Sequence, residues 1–398
     1  MKYRKLTKNG PDISLLGYGC MRFPSKNGSI NKELAFSQMK LAFDNGVNYF
    51  DTAYPYHGGR SEVVLGEFIQ KYDIRDKVYI ADKLPAFLVN KSSQIEKFFN
   101  TQLSRLSTDY IDFYLMHMLD SFKSWEKLKT LGILEFIDEK KKSGEIKYIG
   151  FSFHGKHEEF VKILEDYDWD FCQIQYNYLD VNYQAGKAGL KKAYELGIGV
   201  IIMEPLRGGS LAINAPDRVK DLFSSQSPIN SPAYWSLRWI MNHKEVSVVL
   251  SGMNVNEHIL DNVDVASNTD IGCMTNGELD VVIEAKSIFD ELMKVNCTGC
   301  NYCMPCPFGV DIPATFSEYN SKYFFGGGFM NRFMYIGRAS GFMGEKKSGG
   351  NSCTGCGKCI KHCPQNIDIP TQLREAHKDL DIPVIRGALT MASKLKSK

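Results

Sequence analysis

Two cysteine runs near the carboxyl end restrict what that part of the chain can become. Cys297-x-x-Cys300-x-x-Cys303-x-x-Cys306-Pro307 is followed by Cys353-x-x-Cys356-x-x-Cys359-x-x-x-Cys363-Pro364, which together use eight of the chain's eleven cysteines. Three thiolates at steps of three on a turning loop can each reach a different iron of one cubane, and the fourth, followed by proline, points away. Zinc would use one or two C-x-x-C pairs, not two triplets each with an outlying fourth cysteine. Disulfides belong to secreted chains, and Met1-Lys-Tyr-Arg-Lys-Leu-Thr-Lys8 has no apolar core of a secretory signal. Two [4Fe-4S] clusters are therefore expected. The segments after the last ligands also repeat, Phe308-Gly-Val-Asp-Ile-Pro313 answering Gln365-Asn-Ile-Asp-Ile-Pro370.

Over residues 295–372 this pattern resembles the bacterial two-cluster ferredoxins, in which the fourth cysteine of each run ligates the other cluster. The resemblance implies a crossed assignment: Cys297, Cys300, Cys303 and Cys363 on one cluster, Cys353, Cys356, Cys359 and Cys306 on the other. The first run departs from the pattern by one residue before its last cysteine.

A chain of 398 residues has room for two domains. Its net charge of +2 comes from mixed acidic and basic residues, which gives no electrostatic footprint for nucleic acid or an anionic membrane. No apolar run has the length of a membrane span. Thiolate clusters need a reducing compartment, so a cytoplasmic protein is expected. Cys20, Cys172 and Cys273 sit among apolar residues and are expected in the core.

Residues 14–265 alternate short apolar runs with longer stretches of helical period. The strand candidates are Leu15–Met21, Tyr49–Thr52, Val78–Lys83, Ile111–His117, Ile146–Ser152, Phe171–Tyr176, Val200–Met203 and Val246–Ser251. Their β-branched and aromatic content suits strands buried on both faces. Helical spacing marks Glu33–Asn45, Ser92–Leu106, Leu131–Ser143 and Lys156–Tyr167. Eight β-then-α units predict an α/β fold of the (β/α)8 TIM-barrel type, while a doubly wound sheet would carry an early Gly-rich fingerprint that does not occur. Lys5–Ile13, with Asn9-Gly10 as turn, reads as a hairpin before the first strand. The expected domains are 1–285 for the barrel and 286–398 for a helical ferredoxin-like unit. Glu278–Val295 is expected to be a helix, Tyr323–Gly350 to pack around the clusters, and Thr390–Lys398 to fray.

Catalytic groups in such barrels gather at the C-terminal strand ends. Those ends offer Asp51, Lys83 and His117, with Tyr56 on the loop after Asp51. A phenol ionises near pH 10, and a neighbouring ammonium stabilises its phenolate. A carboxylate would keep that ammonium charged, and an imidazole can orient a carbonyl oxygen. Such a set can protonate the alkoxide formed when a hydride attacks a carbonyl.

Asp51-Thr-Ala-Tyr-Pro-Tyr56-His-Gly-Gly-Arg-Ser-Glu-Val-Val-Leu-Gly66 resembles the signature of the aldo/keto reductase family. Ala81-Asp-Lys83-Leu-Pro85, Tyr114-Leu-Met-His117 and Leu16-Gly-Tyr-Gly-Cys-Met-Arg22 fit its other segments. Residues 1–285 are covered, and with the cluster tail the chain resembles that family's iron–sulfur branch. The resemblance implies Tyr56 as general acid, Lys83 as the group tuning it, Asp51 as the partner of Lys83, and His117 as the orienter of the carbonyl.

It also implies NADH or NADPH along the later loops, where the pattern departs in three places. In Gly150-Phe-Ser152-Phe-His154, Ser152 is kept but Phe153 replaces the asparagine that holds the carboxamide, leaving His154 or Gln175 as substitutes. In Met203-Glu-Pro205-Leu-Arg207-Gly208-Gly209, Met203 replaces the aromatic that stacks on the nicotinamide, with Tyr176 as the alternative; Arg207 and Gly208 would face the pyrophosphate. The adenosine loop is expected to use Gly252, Asn254, Glu257, Asp261 and Asn262, and it holds no Lys or Arg for a 2′-phosphate, which favours NADH. Phe23, Tyr54, His57, Met118 and Tyr178 are expected around a small-molecule carbonyl or alcohol. An electron-transfer protein is a second expected partner. The alternative is a ferredoxin-linked reductase with a flavin in the barrel, because a cluster moves one electron and a hydride carries two.

Overall fold

In the computed structural model, eight parallel strands close in chain order into a barrel. They are β1 (Leu16–Gly19), β2 (Tyr49–Asp51), β3 (Tyr79–Leu84), β4 (Ile111–Leu119), β5 (Ile146–Phe153), β6 (Phe171–Gln175), β7 (Gly199–Met203) and β8 (Val248–Ser251). The structure describes residues 1–7, 10–227, 230–324, 328–342 and 347–396. Each strand falls on an expected segment, with ends differing by a residue or two.

Side chains alternate across a strand, so Tyr49, Ala81, Phe113, Leu115, Phe171, Ile201, Val248 and Leu250 share the barrel interior. The hairpin of Tyr3–Lys5 with Asp12–Ser14 adds Leu6 and Ile13 to that cluster. Its close approach requires Gly199, where a Cβ would lie 1.7 Å from the Leu6 carbonyl oxygen. Asn9 of the expected turn lies outside the described residues. With the interior filled by apolar layers, polar inward side chains are left for the C-terminal strand ends.

Helices α1 (Lys32–Asp44), α2 (Arg60–Tyr72), α3 (Ser93–Leu106), α4 (Phe122–Thr130), α5 (Ile133–Ser143), α6 (His157–Asp166) and α7 (Gly186–Glu195) follow the strands. Two local elements have clear sequence causes. Helix α4 starts from a capping box in which Ser121 and Ser124 bond each other's backbone N–H groups. A two-residue hairpin pairs Ser25–Lys26 with Ser29–Ile30. Its turn, Asn27-Gly28, has φ of 53° and 77°, the left-handed pair that Asn-Gly favours.

The chain divides into two compact units, one of residues 1–206 and 233–279, the other of 207–232 and 280–398. The second unit therefore draws on two stretches of chain, where a single cut after residue 285 was expected. It contains α8 (Asp217–Gln226), most of a helix spanning Asn276–Leu292, and four helices at Ile312–Phe324, Gly328–Ser340, Ile369–Leu380 and Pro383–Lys396. The repeated Asp-Ile-Pro segments are helix starts: Asp311 accepts from the Ala314 N–H at 3.1 Å and Asp368 from the Thr371 N–H at 3.4 Å. Tyr335, Ile336 and Ala339 of the Gly- and aromatic-rich interval enter this unit's core; its residues 325–327 and 343–346 lie outside the described ones. The helix that leads into the carboxyl-terminal tail is anchored by residues just before Thr390. Helix Pro383–Lys396 includes Thr390 onward, and Ile382, Ile385 and Leu389 pack on the core at helical spacing. Among the described residues no helix is long and apolar enough to cross a membrane.

Candidate active site and cluster sites

Inward positions at the ends of β2, β3 and β4 bring Asp51, Lys83 and His117 together. All three are buried, with exposures of 3%, 0% and 2%. Lys83 Nζ donates to Asp51 Oδ1 and to the Thr52 carbonyl, both at 2.6 Å. Gln173 Nε2 donates to the other Asp51 oxygen at 2.9 Å. A buried ion pair persists only when its remaining polar atoms are also bonded, and Thr52 and Gln173 meet that need. Gln173 escaped the sequence reading, although a polar residue at an inward position of β6 was the available signal.

The Lys83 ammonium lies 5.2 Å from the centre of the Tyr56 ring, and that ring meets the His117 ring edge-on at 6.0 Å and 80°. Tyr56 is partly exposed, so the phenol faces the mouth while the groups behind it are dry. Burial, with the Lys83 charge next, pushes the His117 pKa well below the usual imidazole value. The ring is therefore neutral at physiological pH and can donate an N–H without adding a second cation beside Lys83. The strand register shifts just beyond His117, and there the Met118 N–H donates to Ser152 Oγ at 2.8 Å.

The substituted positions resolve differently. Phe153 is buried against Phe160 of α6, ring centres 5.2 Å apart, so it faces the helix layer. Gln175 is tied on both sides, donating to Asp180 at 2.7 Å and accepting from Gln184 at 3.1 Å. Burial pushes the His154 pKa down to about 4, against opposing effects of Asp120 and Gln184. Met203 packs on the interior cluster at the end of β7. Tyr176 is stacked on Trp239, ring centres 5.3 Å apart and planes 29° apart, so its ring faces α9 (Pro232–Met241) in the outer layer. Pro205 is buried. Arg207 lies in the second unit with a buried guanidinium, and its Nη1 meets Met293 Sδ at 3.1 Å. Gly208 follows with φ of 65°.

At the end of β8, Asn262 is buried and donates to Ser251 Oγ at 3.0 Å, holding the loop to α10 (Asn256–Asn268). Asn254, Glu257 and Asp261 are exposed, and Gly252 is half-buried. A Cβ on Gly252 would lie 3.1 Å from Arg22 Cδ. Arg22, on the loop after β1, is thus a cation beside the loop after β8 that linear sequence did not place there.

Behind Lys83, on the opposite face of β3, Asp82 pairs with Glu62 of α2. Both are fully buried, and Glu62 also meets Arg105 at 2.6 Å. Burial, then the Glu62 charge, raises the Asp82 pKa well above the carboxylate range. Because the folded value exceeds the unfolded one, the folded state keeps a proton that the unfolded state releases near pH 4. The associated stability is full below that pH and is lost as pH rises through the folded value. Asp82→Asn keeps a neutral donor in place. Its stability, read as apparent Tm, is expected to gain on wild type as pH rises above ~4, by up to ~1.4 kcal/mol for each pH unit until the folded value is reached. Thermal melts across that range check it; a pH-independent difference would mean that Asp82 is not protonated.

In the second unit the cysteines surround two cavities. One is lined by Cys297, Cys300, Cys303 and Cys363; the other by Cys306, Cys353, Cys356 and Cys359, with Cys303 reaching it too. Burial, then Cys300, Cys297 and Cys363, pushes the Cys303 thiol up to about 12. Cys359 is raised by burial and by Cys353, Cys306 and Cys356. Thiolates that crowd one another in this way fit a cationic iron core that would neutralise them. Among the described residues no three His, Cys, Asp or Glu side chains close on a single metal ion.

Residues 15–280 match the model of the aldo/keto reductase family, and 296–368 match that of the 4Fe-4S dicluster domain. An uncharacterized oxidoreductase of Bacillus subtilis is 30% identical over 232 residues, 53% of this chain and 68% of that protein. A probable aldo-keto reductase of Glycine max is 28% identical over 52% of this chain and 59% of its own length. Among solved structures, the holo form of an aldo-keto reductase from Bacillus halodurans superposes with a TM-score of 0.59 at 22% identity, covering 72% of this chain and 96% of that one. A thermostable aldo-keto reductase gives 0.58 at 20% identity, covering 72% and 100%. The chain is an oxidoreductase of the aldo/keto reductase family that carries a carboxyl-terminal 4Fe-4S dicluster domain.

Proposed function

We propose that the protein interconverts a small-molecule carbonyl and its alcohol, with Tyr56 as general acid and base. The arrangement of the Lys83–Asp51 pair, the Tyr56 ring and neutral His117 carries this reading. A nicotinamide nucleotide, when bound, supplies or takes the hydride. His117 orients the carbonyl oxygen by donating an N–H. Tyr56 delivers its phenolic proton as negative charge develops on that oxygen, and Lys83 stabilises the phenolate left behind. Asp51, Thr52 and Gln173 keep Lys83 charged and immobile. Two [4Fe-4S] clusters in the crossed cysteine sets complete the holoprotein, in keeping with a reducing cytoplasm. Anaerobic protein mixed with a panel of aldehydes and ketones should consume NADH or NADPH, followed by nicotinamide absorbance. No consumption with any of them, together with released flavin, would favour the flavin alternative.

For the nucleotide, NADH is expected to bind at least as tightly as NADPH. Arg218 is paired with Glu291 at 2.9 Å, and Arg207 contacts Met293. Asn254→Arg should shift the preference toward NADPH about tenfold, the worth of a charge-assisted contact of ~1.5 kcal/mol. Anaerobic fluorescence titration with both reduced nucleotides measures this. A wild-type preference for NADPH that Arg22→Ala abolishes would assign the phosphate to Arg22 instead.

A further inference from the structure

The two cysteine sets differ in exposure and in charge. Cys356 is the exposed cysteine of the eight ligand candidates, while the others are half-buried. The loop that carries it, residues 353–363, holds exposed Lys358, Lys361 and His362 and no carboxylate. Lys347, also exposed, joins them across the fold: its carbonyl oxygen lies 3.6 Å from where a Cβ on Gly309 would sit, beside the turn that follows Cys306. Asp311 and Asp368 are the carboxylates of the adjoining helix starts, and both are engaged as helix caps. Exposed Phe308 and Ile360 supply apolar surface within this basic rim. The first run differs, because residues 295–310 contain no charged residue at all.

From this asymmetry we propose that the Cys356 side of the second unit is the docking surface for an acidic one-electron carrier protein. This rests on the cluster reading given above. Positive rim, apolar centre and exposed ligand are the features that steer and seat an anionic partner close to a redox centre. One electron leaves the reduced carrier, which is oxidised by one, and enters this chain on the Cys356 side. No bond or proton changes hands. Nucleic acid is a poorer fit, since the patch is small and has an apolar centre.

The test uses iron-loaded holoprotein and a reduced acidic flavodoxin as probe, mixed anaerobically while cluster absorbance is followed. The wild-type rate should fall as salt rises, because steering by opposite charges is screened. Lys358→Glu/Lys361→Glu should slow transfer tenfold or more at low salt. Lys123→Glu/Lys127→Glu, an equivalent charge change on exposed positions of α4, should alter it less than twofold. Iron content and visible spectrum of each variant show whether the clusters are loaded. Protein that binds no iron would fail the cluster reading itself. Fully loaded double variant that accepts electrons at the wild-type rate, or a rate that rises with salt, would overturn the docking surface alone.

Discussion

Tyr56→Phe is expected to reduce carbonyl turnover by a factor of ~10²–10⁴, the usual worth of a positioned general acid, while nucleotide affinity changes less than threefold. The phenol is needed when charge develops on the substrate oxygen, not when the nucleotide docks. The substitution removes one oxygen from a partly exposed ring and leaves its packing near Lys83 and His117 in place. Lys83→Met would be a poorer test. It would leave Asp51 buried without its counter-charge, at a cost of ~3–5 kcal/mol in stability, and loss of fold would mimic loss of catalysis. Turnover with the best carbonyl of the panel, and nucleotide titration of the same preparation, separate the two effects. Near wild-type turnover would show that the proton reaches the substrate from another group. Asp51→Asn is expected to sit between these cases, since it keeps the shape of the pair but removes the charge that holds the Lys83 ammonium.

The barrel could be read from sequence because its strands are buried on both faces and so stand out as apolar runs between helix-period stretches. The grouping of Asp51, Lys83 and His117 could be read because they fall at the ends of those runs. What sequence concealed were contacts set by the closing of the barrel. Gln173 meets Asp51 across 122 positions, and Arg22 meets Gly252 across an even longer span; neither has a local signature. Phe153 and Tyr176 show how side-chain direction is hidden as well. The pleat turns Phe153, at the position of the replaced asparagine, toward α6, and Trp239 draws Tyr176, the alternative stacking ring, into the outer layer. In the second unit the repeated Asp-Ile-Pro was visible as a repeat. Its physical role, capping two helices that carry the core behind the cysteine loops, emerged only with the hydrogen bonds of Asp311 and Asp368.

Cys363→Ala should lower iron content from about eight to about four atoms per chain, the difference between two cubanes and one. Sequence order would group Cys363 with Cys353, Cys356 and Cys359, but it lines the cavity of Cys297, Cys300 and Cys303. The 3-10 turn Ile360–His362 immediately before it turns the chain away from the loop of its own run. An iron count alone does not say which cluster was lost, so thiol accessibility is the deciding measurement. In the crossed arrangement, anaerobic alkylation of the variant followed by mass spectrometry should label Cys297, Cys300 and Cys303. Cys306, held with the remaining cluster, should stay protected along with Cys353, Cys356 and Cys359. If ligation instead followed sequence order, the pattern would reverse: Cys353, Cys356 and Cys359 would be labelled and the whole first run protected. A full iron count with no new labelling would mean that Cys363 is not a ligand. Cys306→Ala gives the mirror experiment, because its side chain faces the second cavity, and its loss should expose Cys353, Cys356 and Cys359 while the first three thiols stay bound.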